Sequence, residues 1–135
     1  MSSPGDLTRE FFALYCNHEV AKMTELCSPD GSFEYVPMGD QGRGSIAEVG
    51  QRVWASLIDA FPDLTIVVRS VLDDGADQAA AEVTISGTQA RDFAGIPSKG
   101  RHYELPHGFF FRVDAGRIDR IAAYWDNLSF QQQLS

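Results

Sequence analysis

The sequence predicts an α+β fold: a curved antiparallel sheet, closed by N-terminal helices into a cone with one open mouth around an apolar pocket. Three observations predict it. Helix signals are confined to the part of the chain before Pro62 and to a short tail. Between Leu64 and Asp126 the chain holds four strand-like runs joined by short turns or one loop. Nine Phe, four Tyr and two Trp supply more large apolar volume than a minimal core of 135 residues needs, leaving aromatics to line a cavity.

The elements follow in order. Ser3-Pro4 with Asp6 starts a helix: a cap, proline at the first position, and an acid in the first turn. Leu7, Phe11, Leu14 and Tyr15 share its buried face. Asn17 caps a short second helix with Val20, Met23 and Cys27 inward, stopped near Pro29. Ser32–Pro37 reads as a short strand with Phe33 and Tyr35 on one face. Glycines mark residues 39–44 as a loop. Ser45, with Glu48 three residues on, forms a capping box for the longest helix. Its stripe is Ile46, Val49, Val53, Trp54, Leu57 and Phe61, and Pro62 ends it. Leu64–Leu72 and Ala79–Thr88 are strands around the turn Asp73-Asp74-Gly75, and Arg91–Gly100 is a loop. Arg101–Asp126 is a hairpin. Tyr103, Leu105, His107, Phe109, Phe111 and Val113 share one face of its first strand. After the turn Asp114–Arg117, Ala122, Tyr124 and Asp126 share a face of the second. Asn127–Leu134 is a short terminal helix. The order is α-α-β-α-β-β-β-β with a tail, the helices gathered on one side.

Residues 1–135 are expected to form a single domain. The net charge of −8 and the scatter of the 11 Lys and Arg argue against a nucleic-acid partner and against an anionic membrane surface. No apolar run is long enough to span a bilayer or serve as a signal peptide. Cys16 and Cys27 have neither metal-ligand nor CxxC spacing and read as buried free thiols, which suits a cytoplasmic location. His18, His102 and His107 fall in different elements, so no metal site is expected. The absence of glycine-rich phosphate motifs leaves no support for a flavin or nicotinamide, and no cofactor is expected.

Asp126 is the first candidate for chemistry. A carboxylate ending an aromatic strand is either solvated at the rim or desolvated in a pocket, where its basicity rises and it serves as general acid or base. It also directly precedes the terminal helix, where it would act as an N-cap; the two roles are compatible. His107, mid-strand among aromatics, suits donation to an oxyanion or orientation of Asp126, or a purely structural role. Tyr124 shares the face assigned to Asp126 and completes the catalytic set. Tyr15, Phe33, Tyr35, Trp54, Phe109 and Ala122 are the expected pocket-lining, substrate-binding residues. Glu104 falls on the face opposite His107 and reads as exposed.

Gly87-Thr88, Phe93-Ala94-Gly95-Ile96-Pro97, Gly100-Arg101, Gly116-Arg117-Ile118, Asp126 and Gln133-Leu134 together resemble the SnoaL-like polyketide cyclases of the NTF2-like superfamily. The resemblance implies an NTF2-like cone and an apolar small-molecule substrate. It also implies cofactor-free aldol cyclisation, with the aspartate matching Asp126 as acid/base and a pocket histidine, matched by His107. The alternatives it accommodates are a cofactor-free hydroxylase, an isomerase such as ketosteroid isomerase with its carboxylate base, and a non-catalytic binding module. A homodimer is implied as well. Arg120 and Ala122 stand where the family usually has an acid and a tryptophan, and the small Ala122 implies a differently shaped ligand.

Overall fold

The computed structural model describes residues 2–135. Helix α1 (Pro4–Cys16) starts as read: Ser3 and Asp6 form a reciprocal capping box, the Ser3 hydroxyl accepting from Asp6 N at 3.0 Å. Asn17 closes α1 rather than opening α2 (Val20–Glu25), which follows Glu19 without a side-chain cap. Strand β1 (Cys27–Tyr35) begins earlier than expected, so Cys27 belongs to a strand and not to a helix. A kinked 3-10 segment (Val36–Gly42) leads to the short β2 (Arg43–Ser45), which the sequence did not announce. Ser45 caps the next helix by accepting from Glu48 N at 3.2 Å, and one π-type turn (Ile46–Gly50) runs into α3 (Gln51–Ala60). The remainder is β3 (Thr65–Asp73), β4 (Gln78–Thr88), β5 (His102–Asp114), β6 (Arg117–Trp125) and α4 (Asn127–Leu134).

The six strands form one sheet in the order β2-β1-β6-β5-β4-β3. Every pairing is antiparallel except β1 with β6, which is parallel. That pairing corrects the all-antiparallel expectation. A strand's parallel partner leaves no local signal, because it arrives only after the long connection through β2, α3, β3, β4 and β5. The helices close over one face of the curved sheet, giving the expected α+β fold. Phe11 of α1 sits at the centre of the core, its ring 5.3–5.8 Å from those of Phe12, Tyr15, Trp54 and Phe111, all edge to face.

One irregularity decides where the last strand points. In the β5–β6 ladder Asp114 pairs with Arg117 and Val113 with Ile118, but Arg112 pairs with Arg120. Asp119 is therefore an extra residue, a bulge, held by Arg112 Nε at 3.0 Å. The bulge reverses the strand's alternation: Ile118 is inward, and so are Ile121, Ala123 and Trp125. Beside it Gly31 of β1 lies so close that a Cβ would stand 2.7 Å from the Asp119 carbonyl oxygen.

Candidate functional site

The inward face of the β5–β6 hairpin, the C-terminal end of β1, α3 and the loop after β4 enclose two contiguous spaces. The outer one is an open cavity of about 530 Å³. Pro37, Met38 and Gln41 of the 3-10 segment line it, with Arg52, Val53, Ser56 and Asp59 of α3. Asp92, Phe93, Ala94 and Ile96 of the loop form another wall, and Trp125, Asn127, Phe130 and Gln131 complete it. Below lies a chamber of about 20 Å³, reached by Tyr15, Tyr35, Leu57, Leu64, Ile85, Tyr103 and His107. Met38, Phe93, Trp125 and Phe130 line both spaces and form the boundary between them.

The wall contributed by the 91–100 loop is fixed by hydrogen bonds to the scaffold. Ala90 N donates to Ala60 O at 2.7 Å, Gln89 Nε2 to Ile96 O at 2.9 Å, and Ser98 Oγ to Gln89 O at 3.1 Å. The mouth is polar on two sides. Arg52, Ser56 and Asp59 follow at i, i+4 and i+7 on α3, and Asn127 and Gln131 at i and i+4 on α4. Arg52 Nη2 donates to Gln41 O at 3.2 Å, and Asp59 meets Arg91 at 3.6 Å in an exposed pair of little energetic weight.

His107 lies between the rings of Trp125, at 5.1 Å, and Phe109, at 6.2 Å. Its Nδ1 is 3.0 Å from Leu105 O; a carbonyl only accepts, so Nδ1 carries the proton and Nε2 holds a lone pair. Among the described residues nothing bonds to Nε2. With the side chain 8% exposed, desolvation outweighs the bond to Leu105 and lowers its pKa from 6.5 to about 4, so the ring is neutral at physiological pH. Trp54 Nε1 donates to Tyr35 Oη at 3.0 Å, and Tyr35 contacts Tyr15 Oη at 3.4 Å. Burial, then the neighbouring phenol, raises the pKa of Tyr15; burial likewise keeps Tyr35 and Tyr103 protonated. Among the described residues no group of three or more potential metal ligands assembles, and no helix is long and apolar enough to cross a membrane.

The structure brings Tyr15, Tyr35 and His107 together and sends the other candidates elsewhere. Asp126 is exposed; its Oδ1 accepts from Ser129 N at 3.0 Å as the N-cap of α4. The expected desolvated carboxylate is not there. Tyr124 is 47% exposed on the outer sheet face, edge to face with Phe110. Ala122 is buried mid-sheet between Glu34 and Phe110 on that same outer side, so it opens no space in the cavity. The Asp119 bulge is the cause of all three departures. Phe33, Trp54 and Phe109 are packed core rather than cavity wall, although Trp54 reaches the chamber through its bond to Tyr35. Sequence reasoning missed Trp125, Met38, Phe93, Phe130 and the hydroxyl of Tyr103 as site residues. The polar row on α3 has helical spacing and was legible; the inward turn of Trp125 was not.

The sequence matches the model of the SnoaL-like domain over residues 8–121. IdmH from Streptomyces antibioticus, named as a polyketide cyclase, is 26% identical with a TM-score of 0.83, over 98% of this chain and 99% of its own. AclR from Streptomyces galilaeus, named as a hydroxylase, is 20% identical with a TM-score of 0.81, over 95% and 92%. A protein of Jannaschia sp. CCS1, named as a SnoaL-like polyketide cyclase, is 21% identical with a TM-score of 0.82, over 100% and 96%. The last two similarities speak for the fold alone. No curated protein matches the sequence.

Proposed function

The chain belongs to the SnoaL-like domain family, and on that premise we propose that it is a cofactor-independent enzyme acting on an apolar carbonyl metabolite of the polyketide type, closing a ring by an aldol-type step. One observation carries the reading: His107, neutral and desolvated and with an unpartnered Nε2, lines a chamber beneath an open cavity whose mouth is polar on two sides. Aldol closure needs a base to remove a proton α to a carbonyl and a donor to meet the forming alkoxide. Nε2 supplies the base and the surrounding phenols supply the donors. A conjugate-acid pKa of about 4 keeps the imidazole unprotonated at neutral pH, in the range of the carboxylate base, about 4.6, that serves ketosteroid isomerase. The name of IdmH, at 26% identity, supports a cyclase over the other chemistries of this fold. In this reading Asp126 holds α4 against the cavity mouth and takes no proton. The protein works in the cytoplasm as a homodimer through its outer sheet face, where Phe110, Tyr124 and Val67 are each about half exposed.

The test uses ligands that co-purify with the protein, identified by mass spectrometry and returned to it in heavy water. Deuterium incorporation α to a carbonyl, or ring closure, should fall by about 10²- to 10⁴-fold in His107→Gln and stay near wild type in Asp126→Asn. Unchanged turnover in His107→Gln overturns the assignment. Ligand retention by the wild-type protein with neither exchange nor closure identifies a binding module instead.

A further inference from the structure

Three polar groups around the inner chamber have bonding capacity that the protein leaves unused. Tyr103 is 2% exposed, and among the described residues its hydroxyl has no partner. Tyr15 and Tyr35 own two hydroxyl hydrogens but share a single contact, and the indole hydrogen of Trp54 already fills one acceptor site on Tyr35. One hydrogen of the pair is therefore left for an outside acceptor, whichever way the contact is oriented. Opposite in character, His107 Nε2 offers a lone pair and no hydrogen. Tyr15, Tyr35, Tyr103 and His107 all line one space of about 20 Å³, against the ~10–15 Å³ that one water needs.

We propose that the chamber is a binding site for a single hydroxyl-type oxygen, one that accepts from Tyr103 and from the Tyr15–Tyr35 pair and donates to His107 Nε2. A carbonyl oxygen or an ether lacks the hydrogen that His107 takes; an ammonium lacks the lone pairs. A water in the free protein and a ligand's enol, phenol or alcohol oxygen both satisfy the pattern. The site narrows the substrate class of the function proposed above, on which its ligand half rests: the proton that Nε2 takes is then the enol hydrogen of the nucleophilic carbonyl group, and its loss gives the same enolate as removal from carbon. The ring system lies in the outer cavity, and one hydroxyl or enol oxygen passes between Trp125 and Phe130 to displace the water.

A crystal structure of the free protein that resolves ordered water tests the first half. A water bonded to His107 Nε2 and to at least one phenol is expected, and a chamber without density overturns the site. Phenol and toluene, nearly the same in shape, test the second half by calorimetric titration. Phenol should bind with its oxygen in the chamber, and Tyr103→Phe should weaken it about tenfold while leaving toluene unchanged. Equal loss for both probes, or none, overturns the proposal. Should Tyr103→Phe not fold, the unmutated protein decides alone: anisole, whose oxygen carries no hydrogen, should bind at least about tenfold more weakly than phenol. None of these readouts depends on turnover, so loss of the aldol reading leaves the oxygen site standing, and the reverse.

Discussion

Phe109 and Phe110 are neighbours in the chain, yet one is 1% exposed and the other 46%. Phe109 packs inward, edge to face with Phe12 and Tyr35 and stacked with Phe111 and His107; among the described residues Phe110 meets only the ring of Tyr124, on the outer face. The inner face of the β5–β6 hairpin carries Tyr103, Phe109, Phe111 and Trp125, and the outer face carries Phe110 and Tyr124 among Glu104, Arg112 and Arg120. They differ in cover as well as in composition. Helices α1 and α3 complete the inner face and turn its aromatics into core and chamber wall, whereas among the described residues nothing covers Phe110 and Tyr124 on the outer face. Composition therefore marks the inner face of β5 as the more aromatic one, and the packing of distant helices turns that face into core and chamber wall.

The largest expected effect breaks this comparison most directly. Phe109→Ala should cost ~3–5 kcal/mol in urea unfolding, the range for a buried phenylalanine, and Phe110→Ala less than ~1 kcal/mol in the monomer. Similar losses for both would mean that the outer face is as well packed as the inner one. His107 adds a pH signature. Unfolded, it takes up a proton near pH 6.5; folded, it resists until about pH 4. The unfolded chain binds more protons between those values, so this contribution to stability is complete above pH 6.5 and lost as the pH falls to about 4, ~3 kcal/mol in all. His107→Gln should flatten that part of the curve relative to wild type, and a parallel curve would mean that the imidazole is solvated.

Gly31→Ala tests the bulge that set the two faces apart. The new methyl would press on the Asp119 backbone and should cost ~1–3 kcal/mol, read as a lower urea midpoint with an unchanged slope. The smallest effect concerns Asp126. Asp126→Ala should lose ~1 kcal/mol, the worth of a helix cap, while Asp126→Asn, which keeps an accepting oxygen, should lose almost nothing. A larger penalty for Asn than for Ala would contradict the cap.

Much of the fold was legible locally. Ser3 and Ser45 cap helices where the sequence placed them, the turn Asp114–Arg117 joins β5 to β6, and alternation along β5 put His107 inward with Tyr103, Leu105, Phe109 and Phe111. The site was legible on one strand only. Alternation placed the candidates of β5 correctly because β5 keeps its register beside the chamber, and it misplaced Ala122, Tyr124 and Asp126 because β6 carries an extra residue. Asp119 gives no local warning of this. An Asp-Arg pair in a strand looks like any solvated pair until Arg112 and the close approach of Gly31 fix it as a bulge.

The order of residues alone determined most of the elements, though not β2 or the start of β1, together with the α+β class and the face of β5, because helix caps, turns and period-two alternation are interactions among near neighbours. Tertiary structure decided the parallel β1–β6 pairing, the inward turn of Trp125 and the meeting of Tyr15, Tyr35, Tyr103 and His107. Each joins groups far apart in the chain, and the free energy that selects it is the burial of surface that no local stretch can bury for itself.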